Sequence, residues 1–404
     1  MNSKLKINSI IIISVLSVFF ACNKSNGIKT TKNLEIVNHL RKQLLYSNES
    51  VSHALLNNNN KELVGPRSVC NDSIKLIPSR DWCSGFYPGI FWQMAKLTDD
   101  TSWQKLAEKY TAPLEQEKYN GKTHDMGFKM YCSFGNGYLQ TSNPQYREIL
   151  IQAANTLIKR FNKNVGCIRS WDFNSDKWEF PVIIDNMMNL ELLFWASKET
   201  GNPIYYNIAV SHAETTLKNH FRKDNSSCHV VDYIPETGEV NAKYTHQGFS
   251  DESSWSRGQA WGLYGFTMVY RETRDVKFLR QAEKIATYIL DNPNLPKNKI
   301  PYWDFDAPGI PEEPYDASAA AILASALYEL SEYSSESSKY LKTADEILES
   351  LSSPEFLADS ESNNGFLLKH STGSKPHNSE VDVPLIYADY YFIEALTRKF
   401  NYQN

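Results

Sequence analysis

Six apolar segments of similar length recur along this 404-residue chain, and they constrain its fold more than any other feature. They are rich in aromatic and small residues and lie at residues 85–97, 126–139, 186–197, 258–270, 317–330 and 384–396. A helix that is apolar around its whole circumference is expected to be buried on every side. The first four segments run into a Thr or Ser beside a polar break, which is typical of a helix end.

Amphipathic helices of a second kind alternate with these segments. Each opens on an aromatic residue, continues through one or two alanines and reaches a Leu or Ile, so that its apolar residues form one stripe. Five of them begin at Trp103, Tyr146, Tyr206, Phe278 and Tyr340, and residues 34–51 supply a sixth. A single stripe predicts a helix with one buried face and one face in water.

Six apolar helices alternating with six amphipathic ones predict an all-α fold, an (α/α)6 barrel with the apolar set inside. An open α-solenoid is the alternative. The five amphipathic helices begin 43, 60, 72 and 62 residues apart, which is too variable for a stacked array. The extra residues precede inner helices, at 166–180, 226–255 and 293–314. Long insertions at one end of a rigid scaffold are where binding sites are built.

The first 22 residues resemble a bacterial export signal. Lys4 and Lys6 precede a mainly apolar run over residues 7–21, which is short for a membrane span, and Cys22 follows Ala21 as in a lipobox. We therefore predict a signal peptide at 1–21, a lipid on Cys22, a linker at 22–33 and one catalytic domain at 34–404. An ordinary cleaved signal is the alternative. The chain would be a bacterial lipoprotein, periplasmic or outer-membrane-anchored, which contacts the membrane through its lipid alone.

Charge and motif content exclude several classes of function. The net charge is −5, and no run of Lys and Arg resembles a nucleic-acid footprint. An anionic ligand must therefore be met by a few local residues. His124, His229 and His246 lack metal-ligand spacing, the five cysteines after Cys22 include no C-x-x-C pair, and no nucleotide-binding fingerprint is present. The sequence predicts no metal and no cofactor, and it says nothing about oligomeric state.

Polar clusters precede the inner helices, at residues 80–85, 124–125, 185–186, 251–257, 315–316 and 380–382. In a barrel of this kind the N-terminal ends of all inner helices lie at the same end, so we expect these side chains to converge on one mouth. Asp316 is equally well explained as an ordinary N-cap. Several tryptophans at the same end are candidate stacking platforms for sugars.

Asp185 and Asp125 are the candidate acid and base groups. Asp185 follows the apolar run 181–184 and precedes Asn186-Met-Met, and burial raises a carboxyl pKa. Asp125 lies next to His124. Most enzymes that hydrolyse a glycosidic bond use two carboxyl groups in one pocket as their catalytic residues. A buried structural role for Asp185 stays open on this pattern alone.

Four motifs resemble the unsaturated glucuronyl hydrolases of glycoside hydrolase family 88. They are WCSGFYPGIFW at 82–92, HDMGF at 124–128, IDNMMN at 184–189 and THQGFSDESSWSRGQAW at 245–261. The resemblance covers roughly residues 35–402, and the last motif is the most specific. It implies an (α/α)6 barrel that releases a 4,5-unsaturated uronic acid from lyase-generated acidic oligosaccharides, of the glycosaminoglycan type.

The resemblance also assigns roles to particular residues. Asp185 would protonate C4 of the unsaturated ring and then act as the base for water, and Asp125 would hold sugar hydroxyls. Substrate-binding positions are implied at Trp82, His124, Trp171, His229, Gln247, Arg257 and Trp261, with Arg257 and Gln247 on the substrate carboxylate and with Trp171 and Trp261 stacking on sugar rings.

Three alternatives and one specificity question remain open. The related unsaturated rhamnogalacturonyl hydrolases share this fold and chemistry, and other (α/α)6 enzymes invert saturated glycosides. A lipid-anchored glycan-binding protein without catalysis is the third alternative. Family members that act on sulfated disaccharides carry Ser and Lys in a late loop, where this chain has Ser371, Ser374 and Lys375. Their spacing does not decide whether these residues contact substrate.

Overall fold

The computed structural model describes residues 31–402, and its inner helices form a closed ring. The inner helices are Phe86–Thr98, Gly127–Gly135 with Asn136–Thr141, Ile184–Asn189 with Leu190–Thr200, Ser256–Thr273, Ala317–Ser331 and Ile386–Tyr402. Each packs against the next, and the last packs against the first. The predicted (α/α)6 barrel is therefore confirmed, and the open solenoid is excluded.

The outer helices are Thr31–Leu56, Ser102–Thr111, Pro144–Ile158, Pro203–Asn219, Val276–Leu290 and Ser337–Leu351. Val276–Leu290 shows why they form: Phe278, Ala282, Ile285 and Ile289 are buried at helical spacing, and the opposite face is in water. Three outer helices begin at an Asn or Asp whose side chain accepts a backbone N–H two residues on. These caps are the polar breaks seen in the sequence.

Glycines in the inner helices allow close packing. A Cβ on Gly85 would lie 2.2 Å from the carbonyl oxygen of Phe128, and a Cβ on Gly265 would lie 2.4 Å from the Cβ of Met187. Neither space admits a side chain. The small-residue content of the apolar segments is therefore a requirement of helix-to-helix contact in the ring.

Short antiparallel strands lie in the insertions, which the all-α prediction did not anticipate. Leu63–Cys70 pairs with Ser73–Pro78, and Phe161–Asn162 pairs with Cys167–Ile168. A three-stranded sheet joins Pro181–Ile183 to Val230–Tyr233 and then to Val240–Tyr244. Its strands are rich in Val, Ile and Tyr, which favour extended backbone. The apolar run before Asp185 is the first strand of this sheet.

The far end of the ring, away from the N-terminal ends of the inner helices, carries a network of ion pairs. Arg271 binds Glu329 at 2.8 Å and also binds Glu191, and Arg398 binds Glu329 at 2.8 Å. Arg271, Glu329 and Arg398 lie near the C-terminal ends of three inner helices, and Glu191 is the second residue of Leu190–Thr200. The ion pairs therefore join four inner helices and leave the N-terminal end of the ring for a binding site.

The predicted signal peptide, Cys22 and the linker up to residue 30 lie outside the described residues. Within 31–402, no helix is long and apolar enough to cross a membrane. The same part of the chain has no cluster of His, Cys, Asp and Glu suited to a metal ion. Its five cysteines are free thiols, four of them buried.

Candidate active site

A cavity of about 510 Å³ opens at the end of the ring where the inner helices begin. Predicted residues from four of the six polar clusters line it, namely Trp82, His124, Asp125, Asp185 and Arg257, together with Trp171 and Gln247. The last cluster behaves differently, because Glu380 turns away and binds Arg67 at 2.6 Å. The expected convergence is therefore real for most of the clusters.

The three-stranded sheet brings Asp185 next to His229. Ile183 pairs with Val230 across adjacent strands, and the N–H of Ile184 donates to the carbonyl of His229 at 3.1 Å. Asp185 lies two residues after one strand, and His229 lies one residue before its partner. Antiparallel pairing therefore brings together two residues that are 44 positions apart in the sequence, of which Asp185 lines the cavity and His229 is buried behind it.

Asp185 is a buried carboxyl group whose environment favours the neutral form. Its side chain is 11% exposed, and burial raises its pKa to about 7, with a further contribution from the nearby Asp125. The charge of Arg257 and the indole N–H of Trp261 oppose this rise. The result is a carboxyl group that holds a proton near neutral pH and yet can ionise there, as a group that acts first as an acid and then as a base requires.

His229 is held in one tautomer by the backbone. Its Nδ1 accepts N–H groups from His246 at 3.0 Å and from Gln247 at 3.1 Å, so the proton of the neutral ring is on Nε2. Burial lowers the pKa of this histidine well below its usual value, so the ring is neutral. Nε2 lies 3.8 Å from Oδ2 of Asp185, and neither atom has a hydrogen-bond partner within residues 31–402.

Asp125 is held in place by its neighbours. Nε2 of His124 lies 3.2 Å from Oδ1, and the hydroxyl of Thr123 donates to Oδ2 at 2.6 Å. Burial lowers the pKa of His124, so this histidine is a neutral donor. With 17% of its side chain exposed, Asp125 presents a carboxylate to the cavity. This geometry suits a residue that binds sugar hydroxyls.

Arg257 makes more hydrogen bonds within the protein than the sequence indicated. Its guanidinium donates to Asp316 at 2.6 Å and to the carbonyls of Thr372 and Gly373 at 2.6 Å each, with 1% of the side chain exposed. Three of five N–H groups are thus used. The other two N–H groups make no hydrogen bond within residues 31–402. Asp316 is an N-cap, since it accepts the backbone N–H of Ser318, and it also binds Arg257, but it is fully buried and does not line the cavity.

The tryptophans implicated in sugar binding are of two kinds: some line the cavity, and one is buried in the core. Trp171 and Trp82 line the cavity and are partly exposed. Trp261 is completely buried against Phe128 and Tyr391, so its faces are not available to a sugar. The stacking role expected for Trp261 is therefore wrong, because the inner-ring position that its motif occupies is fully packed. Its contribution is the effect of its indole N–H on Asp185.

The late segment folds back over the cavity. Ser374, His377 and Ser379 line it, and Gln247 donates to the carbonyl of Gly373 at 3.2 Å. Of the three residues left open by the sequence, Ser374 lines the cavity. Ser371 is fully buried, and Lys375 turns to an ion pair with Glu313.

The cavity residues that the sequence did not indicate include Phe173, His377 and Ser379. Phe173 stands two positions from Trp171, inside an insertion already expected to build a site. That spacing was the one signal for it in the sequence. The other two reach the cavity through contacts more than 100 residues apart in the chain, such as Gln247 with Gly373.

Comparison with known proteins gives consistent matches. The sequence profile of Glycosyl Hydrolase Family 88 matches residues 66–402. An unsaturated glucuronyl hydrolase of Formosa agariphila is 51% identical over 335 residues, which cover 83% of this chain and 84% of that protein. An unsaturated chondroitin disaccharide hydrolase of Streptococcus agalactiae is 32% identical over 81% of this chain and 83% of its own length.

Solved structures agree with the sequence matches. The crystal structure of an unsaturated glucuronyl hydrolase specific for heparin superposes with a TM-score of 0.85 and 47% identity, covering 91% of this chain and 98% of its own. A variant of the unsaturated glucuronyl hydrolase of Streptococcus agalactiae, complexed with dGlcA-GalNAc6S, superposes with a TM-score of 0.77 at 27% identity, covering 98% of both chains.

Proposed function

This chain belongs to glycosyl hydrolase family 88, and we propose that it releases 4,5-unsaturated uronic acid from the non-reducing end of glycosaminoglycan-derived oligosaccharides. The observation that carries the proposal is Asp185, a buried carboxyl group with a pKa near 7 on the wall of a cavity that also holds Asp125 and Trp171. A protein that only binds glycans needs no such acid. The sequence relatives favour glucuronyl over rhamnogalacturonyl substrates.

The reaction begins at the double bond of the substrate. The C4=C5 bond is part of an enol ether, so its π electrons take the proton of Asp185 at C4. Positive charge develops at C5 and is shared with the ring oxygen. Asp185 becomes a carboxylate, and its charge lies close to the developing cation and stabilises it. Asp125 and the neutral His124 fix the ring through its hydroxyls, and Trp171 offers an aromatic face.

Water completes the reaction at C5. The Asp185 carboxylate takes a proton from water while the water oxygen bonds to C5, which returns the acid to its starting form and gives a hemiketal. The hemiketal opens, and the leaving sugar departs by rearrangement. One carboxyl group thus serves both steps. Nε2 of His229 lies 3.8 Å from this carboxyl group and has no hydrogen-bond partner within residues 31–402. A small shift lets its N–H donate a hydrogen bond to the Asp185 carboxylate while the carboxylate is charged.

The direct test of this function is an absorbance assay. Unsaturated disaccharides absorb in the ultraviolet through the double bond conjugated with the carboxylate, and hydration of that bond removes the absorbance. We expect the purified enzyme to remove the signal from unsaturated disaccharides of chondroitin, hyaluronan and heparin, at rates that reveal its preference among sulfation patterns. Activity restricted to unsaturated rhamnogalacturonyl substrates, or to saturated glycosides, would reject the proposal.

The pH dependence of the reaction should reflect the raised pKa of Asp185. The first step needs the protonated carboxyl, so kcat/KM is expected to fall as the pH rises through about 7. A carboxyl at its ordinary pKa would instead lose activity near pH 4. The measurement is kcat/KM on an unsulfated disaccharide from pH 4.5 to 9. A limb that stays flat past pH 8.5 would contradict the assignment of Asp185 as the acid.

Variants of His229 should shift the pH at which kcat/KM falls on the alkaline side. A donor near the carboxyl favours its charged form, so His229→Leu is expected to raise the pKa of Asp185 and shift the alkaline limb to higher pH, with a lower kcat. His229→Gln keeps a donor near the position of Nε2 and should restore the limb toward that of the wild type. A residue with a purely structural role would change rates without moving the limb.

We also propose that the protein is exported and lipid-anchored. The support is the sequence of residues 4–22, with its basic start, its apolar run and the cysteine after a small residue. Radiolabelled palmitate should enter the wild type in a bacterial host and not enter Cys22→Ser. Absence of label from the wild type would leave an ordinary cleaved signal as the explanation.

A further inference from the structure

One side of the cavity mouth, formed by segments 121–123 and 171–173, carries an exposed aromatic ring. Phe173 stacks on Trp171 with ring centroids 4.8 Å apart and planes 18° apart, and 49% of the residue is exposed. Both rings line the cavity. A single exposed apolar residue is ordinary on a protein surface, so it is the position of this ring at the cavity that matters. Here it continues the Trp171 platform outward to solvent.

Arg160 organises the segments behind this ring. It makes a two-pronged ion pair with Asp172, at 2.9 Å on each arm, and it donates to the carbonyls of Gly121 at 2.7 Å and Arg169 at 2.8 Å. Its side chain is 7% exposed. Arg160 therefore joins segment 121–123 to segment 171–173, and its positive charge balances the negative charge of Asp172.

The remaining cations of this rim have little acidic compensation. Arg169 donates from Nε to the carbonyl of Trp171 at 3.1 Å and lies 3.5 Å from Asp172, which Arg160 already binds. Lys122 and Lys159 are exposed, and within residues 31–402 neither has a carboxylate within 4.0 Å. Among the residues that line the groove behind this rim, Lys159, Arg160 and Arg169 accompany one carboxylate, that of Asp172. Lys122 adds a positive charge on the cavity side, where Asp81 and Asp125 also lie.

These cations are placed beside the exit of the cavity. Lys122 lines the catalytic cavity itself, and Lys159 and Arg169 line an adjoining groove of about 350 Å³ that also contains Gly121 and Asp172. The cavity and the groove share the two rim segments as their common wall. Lys122 therefore lies on the cavity side of these segments, and Lys159 and Arg169 lie on the groove side.

We propose that Phe173, Lys122, Arg169 and Lys159 form a subsite for the sulfated sugars that follow the unsaturated residue of the substrate. The inference rests on the proposed function, in which the cavity takes the terminal sugar and the rest of the oligosaccharide must leave through the mouth. The face of Phe173 packs on the next sugar ring, and the cations meet sulfate groups on that sugar and its neighbour. Sulfate is favoured over carboxylate because three separate cations suit several anionic groups per disaccharide.

The test compares two double variants with the same change in charge. Lys122→Ala/Lys159→Ala removes two rim cations, and Lys105→Ala/Lys284→Ala removes two exposed lysines from outer helices. We would measure kcat and KM on an unsulfated disaccharide, a sulfated disaccharide and a sulfated tetrasaccharide, each at low and at high salt. Phe173→Ala is measured on the same substrates, together with an unsulfated tetrasaccharide.

The rim variant is expected to lose roughly five- to tenfold in kcat/KM on the sulfated tetrasaccharide at low salt, through KM, and to lose less on the unsulfated disaccharide, where the effect is that of Lys122 inside the cavity. High salt should remove the difference. Phe173→Ala should raise KM for tetrasaccharides, whether or not they carry sulfate. Equal behaviour of the rim and control variants on the sulfated tetrasaccharide would overturn the subsite. Failure of the wild type on every unsaturated disaccharide would instead overturn the proposed function.

Discussion

Asp185→Asn is expected to lower kcat on unsaturated disaccharides by at least about 10³-fold while the protein stays folded. Asparagine matches the shape of the carboxyl group but can neither give a proton to C4 nor take one from water. Both proton transfers of the proposed reaction are therefore lost in one substitution. The measurement is the loss of ultraviolet absorbance under saturating substrate, together with a circular dichroism spectrum to verify folding.

Asp389 provides a matched control for this substitution. It is a second fully buried carboxyl group whose pKa burial raises to about 7, but it accepts the backbone N–H groups of Leu367 and Leu368 and lies outside the cavity. Asp389→Asn should retain activity within about threefold, because a raised pKa without access to substrate has no catalytic consequence. Activity of Asp185→Asn within tenfold of the wild type would refute its role as the acid.

The second large effect concerns stability, and it arises from the buried pair of Arg257 and Asp316. Both side chains are at most 1% exposed and meet at 2.6 Å. Asp316→Asn keeps an acceptor for the N-cap but leaves the guanidinium without its counter-charge. Removing one partner of a buried ion pair lowers the free energy of unfolding by about 3–5 kcal/mol. Activity should fall as well, because Arg257 holds the segment that carries Ser374.

Urea unfolding measures this effect, and a surface pair supplies its control. Glu349 pairs with Lys32 at 2.9 Å, with both side chains more than 70% exposed. Glu349→Gln should change the free energy of unfolding by less than about 1 kcal/mol. If Asp316→Asn were also within about 1 kcal/mol of the wild type, the guanidinium would have found another partner, and the pair would not be the anchor of this wall.

The barrel was predictable from the sequence because its cause is local. Residues 258–270 are apolar on all sides, and the stripe beginning at Phe278 covers one face, so the alternation of inner and outer helices is visible in the pattern itself. Asp185 was visible for the same reason, as a carboxylate inside an apolar run. Both inferences needed only residues that are neighbours in the chain.

The arrangement of the cavity wall was not predictable, because it depends on contacts between distant residues. His229 meets Asp185 through a strand pair that the helical pattern concealed, and its tautomer is fixed by backbone groups of His246 and Gln247. Arg257 was assigned to the substrate alone, since Thr372 and Gly373 lie more than 100 positions away. Trp261 was taken for a platform because sequence does not reveal which face of an aromatic residue is covered.

The central claim is that Asp185 delivers a proton to C4 of an enol ether, and the position of the new hydrogen tests it most directly. Reaction of an unsaturated disaccharide in D₂¹⁸O, followed at once by NMR and mass spectrometry of the product, should show one deuterium at C4 and ¹⁸O at C5. The same product should be absent with Asp185→Asn. A product that carries ¹⁸O at C1 and none at C5, with the bond to the leaving sugar broken directly at C1, would contradict the account.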